Sequence, residues 1–249
     1  MTVTSTRLPL GIRLALPAFA VPRRQRGVEL LDDPSADPAV ARRSLRDVAL
    51  SNRLFGGVSA VLAEVRPLLR DARTSGSPLT LLDVGTGLGD IPARASREAK
   101  RSGVTMRTYG LEINHDLAAG CRTGAGTAIA GSALALPFAD RSIDIVTCSQ
   151  VLHHFDGPEA ELLLAEMQRV ARVRVIVADL RRAWLAAAGL WAASFVLGFH
   201  PVSRHDGVVS VFRGFRRAEL GALIRAATGR EARVRDRRGF RVTASWSPA

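Results

Sequence analysis

LLDVGTGLGDIP, residues 81–92, places three glycines within five positions, after a short apolar run and before an acid and a proline that open a helical pattern. Glycine gives up more backbone freedom on folding than any other residue. A cluster therefore marks a turn where something must approach the backbone closely. The residues around Gly85, Gly87 and Gly89 say what kind of turn it is.

Leu79–Val84 is a short apolar strand and 91–101 a polar helix. The same alternation continues downstream. Strands are expected at 106–111, 128–130, 143–148, 173–178, 232–235 and 240–244, and helices at 114–122, 159–170, 183–199 and 218–227. Upstream, Ala39 to Arg73 is helical with a break at Gly56-Gly57, and 74–78 is a turn-rich linker. Alternating continuous apolar strands and helices predict an α/β fold: a doubly wound, parallel sheet covered on both faces. In such sheets ligands sit at the carboxyl ends of the strands, near the switch point, where Val84 delivers the glycines.

The turn is not a dinucleotide fingerprint. Gly85 and Gly87 fit G-x-G-x-x-G, but the last position is Asp90. A carboxylate at a helix N-terminus repels a pyrophosphate, which disfavours NAD and FAD. Asp83 and Asp90 suit a cationic ligand. The second strand ends in Tyr109-Gly110-Leu111-Glu112, and a carboxylate there can accept two hydrogen bonds from ribose hydroxyls; the plainer alternative is a surface acid capping the following helix.

Composition bounds the rest. The 249 residues fit one large domain, and the formal charge of +12 suggests nucleic acid or a membrane surface. Lys100 is the sole lysine, however, so 34 of the 35 basic residues are arginines, and they are scattered. That skew fits a codon preference better than a binding patch. Two distant cysteines, Cys121 and Cys148, suggest neither a disulfide nor a metal site, and suit a reducing, cytoplasmic setting. Residues 1–37 are expected to be an irregular arm and not a secretory signal. The uncharged stretch 183–199 is too short to span a bilayer and is expected to be a buried or lid helix, leaving peripheral membrane contact open.

DVGTGLGD, the LEIN that ends the second strand, and GSALALPFADRSIDIVTCSQVLHHF from Gly131 to Phe155 resemble the class I S-adenosylmethionine-dependent methyltransferases, over roughly Leu79 to Ala178. The resemblance implies a Rossmann-like seven-stranded sheet carrying N-terminal helices (38–77), a cofactor-binding core (78–180) and a lid or acceptor insertion (181–215) within a methyltransferase domain over 38–249. It implies S-adenosylmethionine as cofactor. Gly85, Thr86 and Gly87 would make room for its methionine part, with Asp83 supporting the loop. Glu112 and the adjoining Ile113 would hold the ribose side, Ser132 and Ala133 the adenine, and Gln150 would face the methionine or the acceptor. Many members carry an acid where this chain has Ser132, whose hydroxyl can still accept one hydrogen bond.

The acceptor is expected to be a hydrophobic small molecule, phenolic or polyketide-like, methylated on oxygen; a quinone-like ring methylated on carbon is the alternative. A hydroxyl acceptor needs a base, and His153, His154 and His205 are the candidates. His205 is expected in a polar loop beside Asp206, with helix termination as its plainer role; packing at a strand–helix turn is that of His153. A nucleic-acid acceptor is disfavoured, because Ser149-Gln150-Val151-Leu152 replaces the Asn/Asp-Pro-Pro-aromatic turn of base methyltransferases and no aromatic residues interleave with the arginines. A catalytically silent nucleoside-binding scaffold is a further alternative. Oligomeric state is not set by the sequence.

Overall fold

The computed structural model describes residues 21–32, 37–113 and 126–248. The helix expected at 114–122, with His115 and Cys121, lies outside them.

Seven strands form one sheet: β1 (Leu79–Val84), β2 (Met106–Glu112), β3 (Thr127–Ala130), β4 (Ile143–Ser149), β5 (Ala171–Leu180), β6 (Arg233–Arg237) and β7 (Arg241–Trp246). Their order is β3-β2-β1-β4-β5-β7-β6. The first five are parallel, as expected, but β7 runs antiparallel to both β5 and β6. The departure has a local cause: β6 and β7 are joined by a tight turn carrying Gly239 at φ 71°, and such a turn admits only an antiparallel return.

The doubly wound architecture is visible in adjacent residues. Leu81, Ile145 and Ile176 point to one face of the sheet and pack with α2 (Gly57–Ser75) and α3 (Asp90–Arg101). Leu82, Val146 and Val177 point to the other and pack with α4 (Gly157–Val170) and α7 (Arg217–Thr228). Strand side chains alternate faces, so a sheet buried on both sides needs continuous apolar strands; β4 is buried at every position.

Upstream, α1 (Pro38–Leu54) starts where the Asp37 carboxylate accepts from the Ala39 amide (2.7 Å) with Pro38 in its first turn. The break before α2 is where expected, with Gly56 at φ 83°. The described part of the arm, 21–32, is irregular except for a short turn at Leu30–Asp32, but it is docked: the Leu30 and Leu31 amides donate to the two carboxylate oxygens of Asp206 (2.9 and 3.1 Å).

The insertion after β5 departs from expectation twice. Residues 200–213 do not form a loop: α6 (Pro201–Arg213) begins with His200, whose Nδ1 accepts from the Val202 amide (3.3 Å), and Pro201 takes the first turn. Gly207 is not a breaker. A Cβ there would lie 3.1 Å from Leu190, so the glycine permits close packing of α6 on α5 (Trp184–Val196). Nor is α5 buried all round. Only Ala186, Ala187 and Ser194 are buried within it, and Trp184, Leu185, Trp191, Phe195 and Val196 are each at least half exposed. Its apolarity exceeds what its one packed side requires.

Candidate active site

The carboxyl ends of β1, β2, β4 and β5 open into one cavity of about 770 Å³, roofed by α5 and α6 and closed at the side by α1 and the docked arm. Asp83, Gly85, Thr86, Gly87, Glu112, Ile113, Ser132, Ala133, Gln150, His153 and His154 all line it. His205 does not. It lies on α6, half exposed, with Nδ1 2.8 Å from Asp206. The helix turns it away from the cavity, which corrects its expected placement among the catalytic candidates.

In the first half of the cavity the turn after β1 is held to β2. The Gly85 and Thr86 amides donate to the Leu111 carbonyl (2.9 and 3.0 Å), and the Gly87 amide donates to Glu112 Oε2 (3.0 Å). Gly85 sits at φ 68° and a Cβ on it would run into the Val151 side chain, so this position needs glycine twice over. Glu112 also accepts from the Ile113 amide (3.0 Å), so its carboxylate is fixed at the cavity edge. Beside it Asp83 is fully buried. Burial raises its pKa to about 7, the Asp90 and Glu112 charges add to this, and the hydrogen bond from Thr147 (2.8 Å) and the nearby Thr86 hydroxyl act against it. Burial likewise raises Asp90. Asp90 Oδ2 and Ser149 Oγ are buried on the cavity wall without hydrogen-bond partners among the described residues.

These groups fit S-adenosylmethionine. A turn lined by Asp83, Asp90 and Glu112 attracts a sulfonium and an ammonium and repels phosphate. Buried unpaired acceptors are stabilised by a ligand that brings hydroxyl and amino donors. Ser132 lines the cavity, and its hydroxyl accepts from the Leu134 amide (3.1 Å), which fixes its turn.

The second half is built around His153. Its Nδ1 lies 2.7 Å from Asp179 Oδ1 at the end of β5, and its amide donates to Asp179 Oδ2 (3.2 Å). His153 is 3% exposed, and its Nε2 has no hydrogen-bond partner among the described residues; Glu29 Oε1 lies 3.8 Å away. Burial raises the Asp179 pKa, but the His153 charge and hydrogen bond outweigh it, so Asp179 stays below the usual carboxylate range. His154 stacks on His153 at 4.4 Å and faces Asp32 at 3.1 Å. Burial opposes its protonation; the Asp32 hydrogen bond and the charges of Glu29, Asp32 and Asp179 prevail and raise its pKa.

Glu29, His153 and His154 place ligand atoms within 4.8 Å of one another, a spacing open to a metal. The Arg213 guanidinium already supplies a cation there, 3.1 Å from Glu29, 2.8 Å from Asp32 and 3.3 Å from His154. The cluster is therefore balanced by an arginine.

Arg241, at the start of β7, is 3% exposed and lines the same cavity. It donates to Gln150 Oε1 (2.7 Å) and weakly to the Phe55 carbonyl (3.4 Å), and Gln150 in turn donates to Asn52 of α1. Gln150 holds φ 56°, an uncommon conformation for a residue with a Cβ. Burial lowers the Arg241 pKa to about 10, with only the Asp179 charge opposing. The sequence singles out neither Asp179 nor Glu29 for the site, and Arg241 reads there only as one of the scattered arginines. An acid ending an apolar strand, as at Glu112, was the available signal for Asp179.

A methyltransferase domain family matches residues 82–178. The chain is 32% identical over 131 residues to a ubiquinone/menaquinone biosynthesis C-methyltransferase of Bradyrhizobium diazoefficiens, covering 49% of this chain and 50% of that one. It is 31% identical over 195 residues to an uncharacterized methyltransferase of Mycolicibacterium vanbaalenii, covering 75% and 69%. The chain thus spans about half the length of the first relative and about two thirds of the second. Among solved structures, a methyltransferase of Thermotoga maritima superposes with TM-score 0.56 at 17% identity, covering 85% and 99%. One of Aquifex aeolicus gives TM-score 0.51 at 16% identity, covering 69% and 82%. Fold, glycine turn and these similarities agree, and the chain belongs to the class I methyltransferases that use S-adenosylmethionine.

Proposed function

We infer that the protein methylates a hydrophobic small molecule at an acidic hydroxyl, with His153 as the base. The observation that carries this is the His153–Asp179 pair, which leaves one buried imidazole nitrogen without a hydrogen-bond partner among the described residues, in the wall of the cavity that the glycine turn shares.

Gly85, Gly87, Asp83 and Glu112 would hold S-adenosylmethionine, with Ile113, Ser132 and Ala133 around its adenine. When bound, it supplies a methyl group on a positively charged sulfur, open to in-line displacement. The chain's own residues do the rest. His153 Nε2 takes the hydroxyl proton, and Asp179 holds the ring in one orientation and stabilises the imidazolium. Arg241, a buried cation with no carboxylate bonded to it among the described residues, would face the oxygen that becomes negative. Leu185, Leu190, Phe199 and Phe240 exclude water and suit an apolar acceptor. The oxygen then carries the methyl group and His153 the proton.

Methylation of a ring carbon beside the ionised oxygen starts with the same proton transfer, and similarity to a C-methyltransferase of quinone biosynthesis favours it as a second reading. The test is methyl transfer from labelled S-adenosylmethionine to hydrophobic phenols and hydroquinones, with products resolved by NMR. Label on an oxygen or on an adjacent ring carbon supports the respective reading. Label only on RNA or DNA, or no turnover with any acceptor class, contradicts both.

A further inference from the structure

We propose that the exposed face of α5 is a docking surface for an anionic lipid bilayer. Eight positions of this helix face outward: Trp184, Leu185, Ala188, Gly189, Trp191, Ala192, Phe195 and Val196. None is polar. At 100° per residue they form two adjoining rows, with Trp184, Trp191 and Phe195 in one and Leu185, Ala192 and Val196 in the other. Val196 is 88% exposed and both tryptophans 53%. Among the described residues these rows meet only the edge contact of Trp184 with Phe212 and the Arg204 guanidinium on Phe195, and the rest of the face is open. A contiguous apolar surface of this kind marks an interaction site.

The rim says what the partner is. Arg204 lies over the Phe195 ring at 3.6 Å, Arg43 of α1 donates to the Gly198 carbonyl at the end of α5 (2.8 Å), and Arg181 precedes the helix. Of the six arginines in residues 181–218, Arg182 is buried against Glu219, Arg213 pairs with Glu29 and Asp32, and Arg181 pairs with Asp236, whereas Arg204, at the apolar strip itself, has no ion pair among the described residues. An apolar strip bearing tryptophans and bordered by arginines matches a membrane interface with anionic headgroups. A second copy of the chain fits poorly, because a two-fold contact through this face sets arginines against arginines. The seating also has a use. Leu185 and Gly189 belong both to the exposed rows and to the cavity wall, so the cavity mouth would meet the bilayer surface.

The docking stands on the helix and its rim, and its test needs no acceptor. The full chain is sedimented with vesicles of mixed phosphatidylglycerol and phosphatidylcholine and with phosphatidylcholine alone, and the tryptophan emission is followed. Trp246 is 2% exposed, so a lipid-dependent change reports Trp184 and Trp191. Expected are binding to the anionic vesicles that salt weakens, a blue shift on binding, and partitioning about tenfold weaker or less in a Trp191→Glu/Phe195→Glu double variant. Unchanged melting and cofactor binding would show that this variant is folded. The proposal is overturned by no binding, by equal binding of the variant, by emission already blue in buffer, or by self-association that the variant abolishes. Each outcome leaves the methyl-transfer reading to its own assay.

Discussion

His153 Nδ1 and Asp179 Oδ1 lie 2.7 Å apart with both side chains buried, so each group determines what the other can do. In the proposed chemistry the carboxylate accepts from Nδ1–H, which leaves Nε2 as the acceptor. The pair joins the turn after β4 to the end of β5, two segments that meet only in the folded sheet.

Asp179→Asn keeps the shape but removes the charge that stabilises a protonated His153. The expected result is a fall in kcat of about 10²–10⁴ with little change in cofactor affinity. Steady-state kinetics with calorimetric titration of S-adenosylhomocysteine separates the two effects. A merely structural role for Asp179 would instead lower affinity and stability together.

Glu112→Ala removes the carboxylate that ties the glycine turn to β2. Hydrogen bonds to a charged group contribute about 1.5–3 kcal/mol each, so the cofactor should bind roughly 10- to 100-fold more weakly. Gly85→Ala should be worse, since the added Cβ meets Val151 and the backbone sits at φ 68°. Thermal shift with S-adenosylhomocysteine measures both. Normal cofactor response in either variant would contradict the placement of the cofactor.

Arg241→Leu removes a buried cation whose pKa burial depresses to about 10. Burying a charge is unfavourable, so this variant is expected to melt no lower than wild type, or slightly higher. Its acceptor turnover should nevertheless fall about 10- to 100-fold, because a buried donor to the developing oxyanion is gone. Loss of stability with retained turnover would assign Arg241 to the scaffold.

Asp32 and His154 set a pH window. The His154 hydrogen bond, opposed by burial and aided by Arg213, lowers Asp32 from 3.8 to about 2, so its contribution is present above 3.8 and is lost as pH falls toward 2. His154 is raised above 6.5, so its contribution is present below 6.5 and is lost as pH rises through the elevated value. Asp32→Asn should therefore lower the melting temperature most between about pH 4 and 6.5 and least outside that range. Solvent reaches the pair, so the effect is at most about 1 kcal/mol, or a few degrees. Melting curves across pH check it.

The cofactor half of the site is legible in the sequence because its determinants are local. The glycines follow one strand, Glu112 ends the next, and both belong to the pattern that also reveals the parallel sheet. The acceptor half is assembled from distant segments. His153 follows β4, Asp179 ends β5, Arg241 opens β7, and Glu29 and Asp32 arrive on the arm. Hydrophobic period carries no information about such meetings. His205 misled because Pro201 and Gly207 are breakers by propensity. In the fold, proline occupies a helix's first turn and glycine a helix–helix contact, two places where each is favoured. The exposed apolar rows of α5 were hidden for a related reason: composition reports that a helix is apolar, not how much of it the fold covers.

The most direct test of the account is the single-turnover rate of methyl transfer to a competent acceptor in wild type and His153→Ala, with S-adenosylhomocysteine affinity measured on both. Equal affinity is expected, with a rate about 10²-fold or more lower in the variant, partly restored by added imidazole. Equal rates in the two proteins would contradict the assignment of His153 as the base and, with it, the chemistry proposed for the cavity.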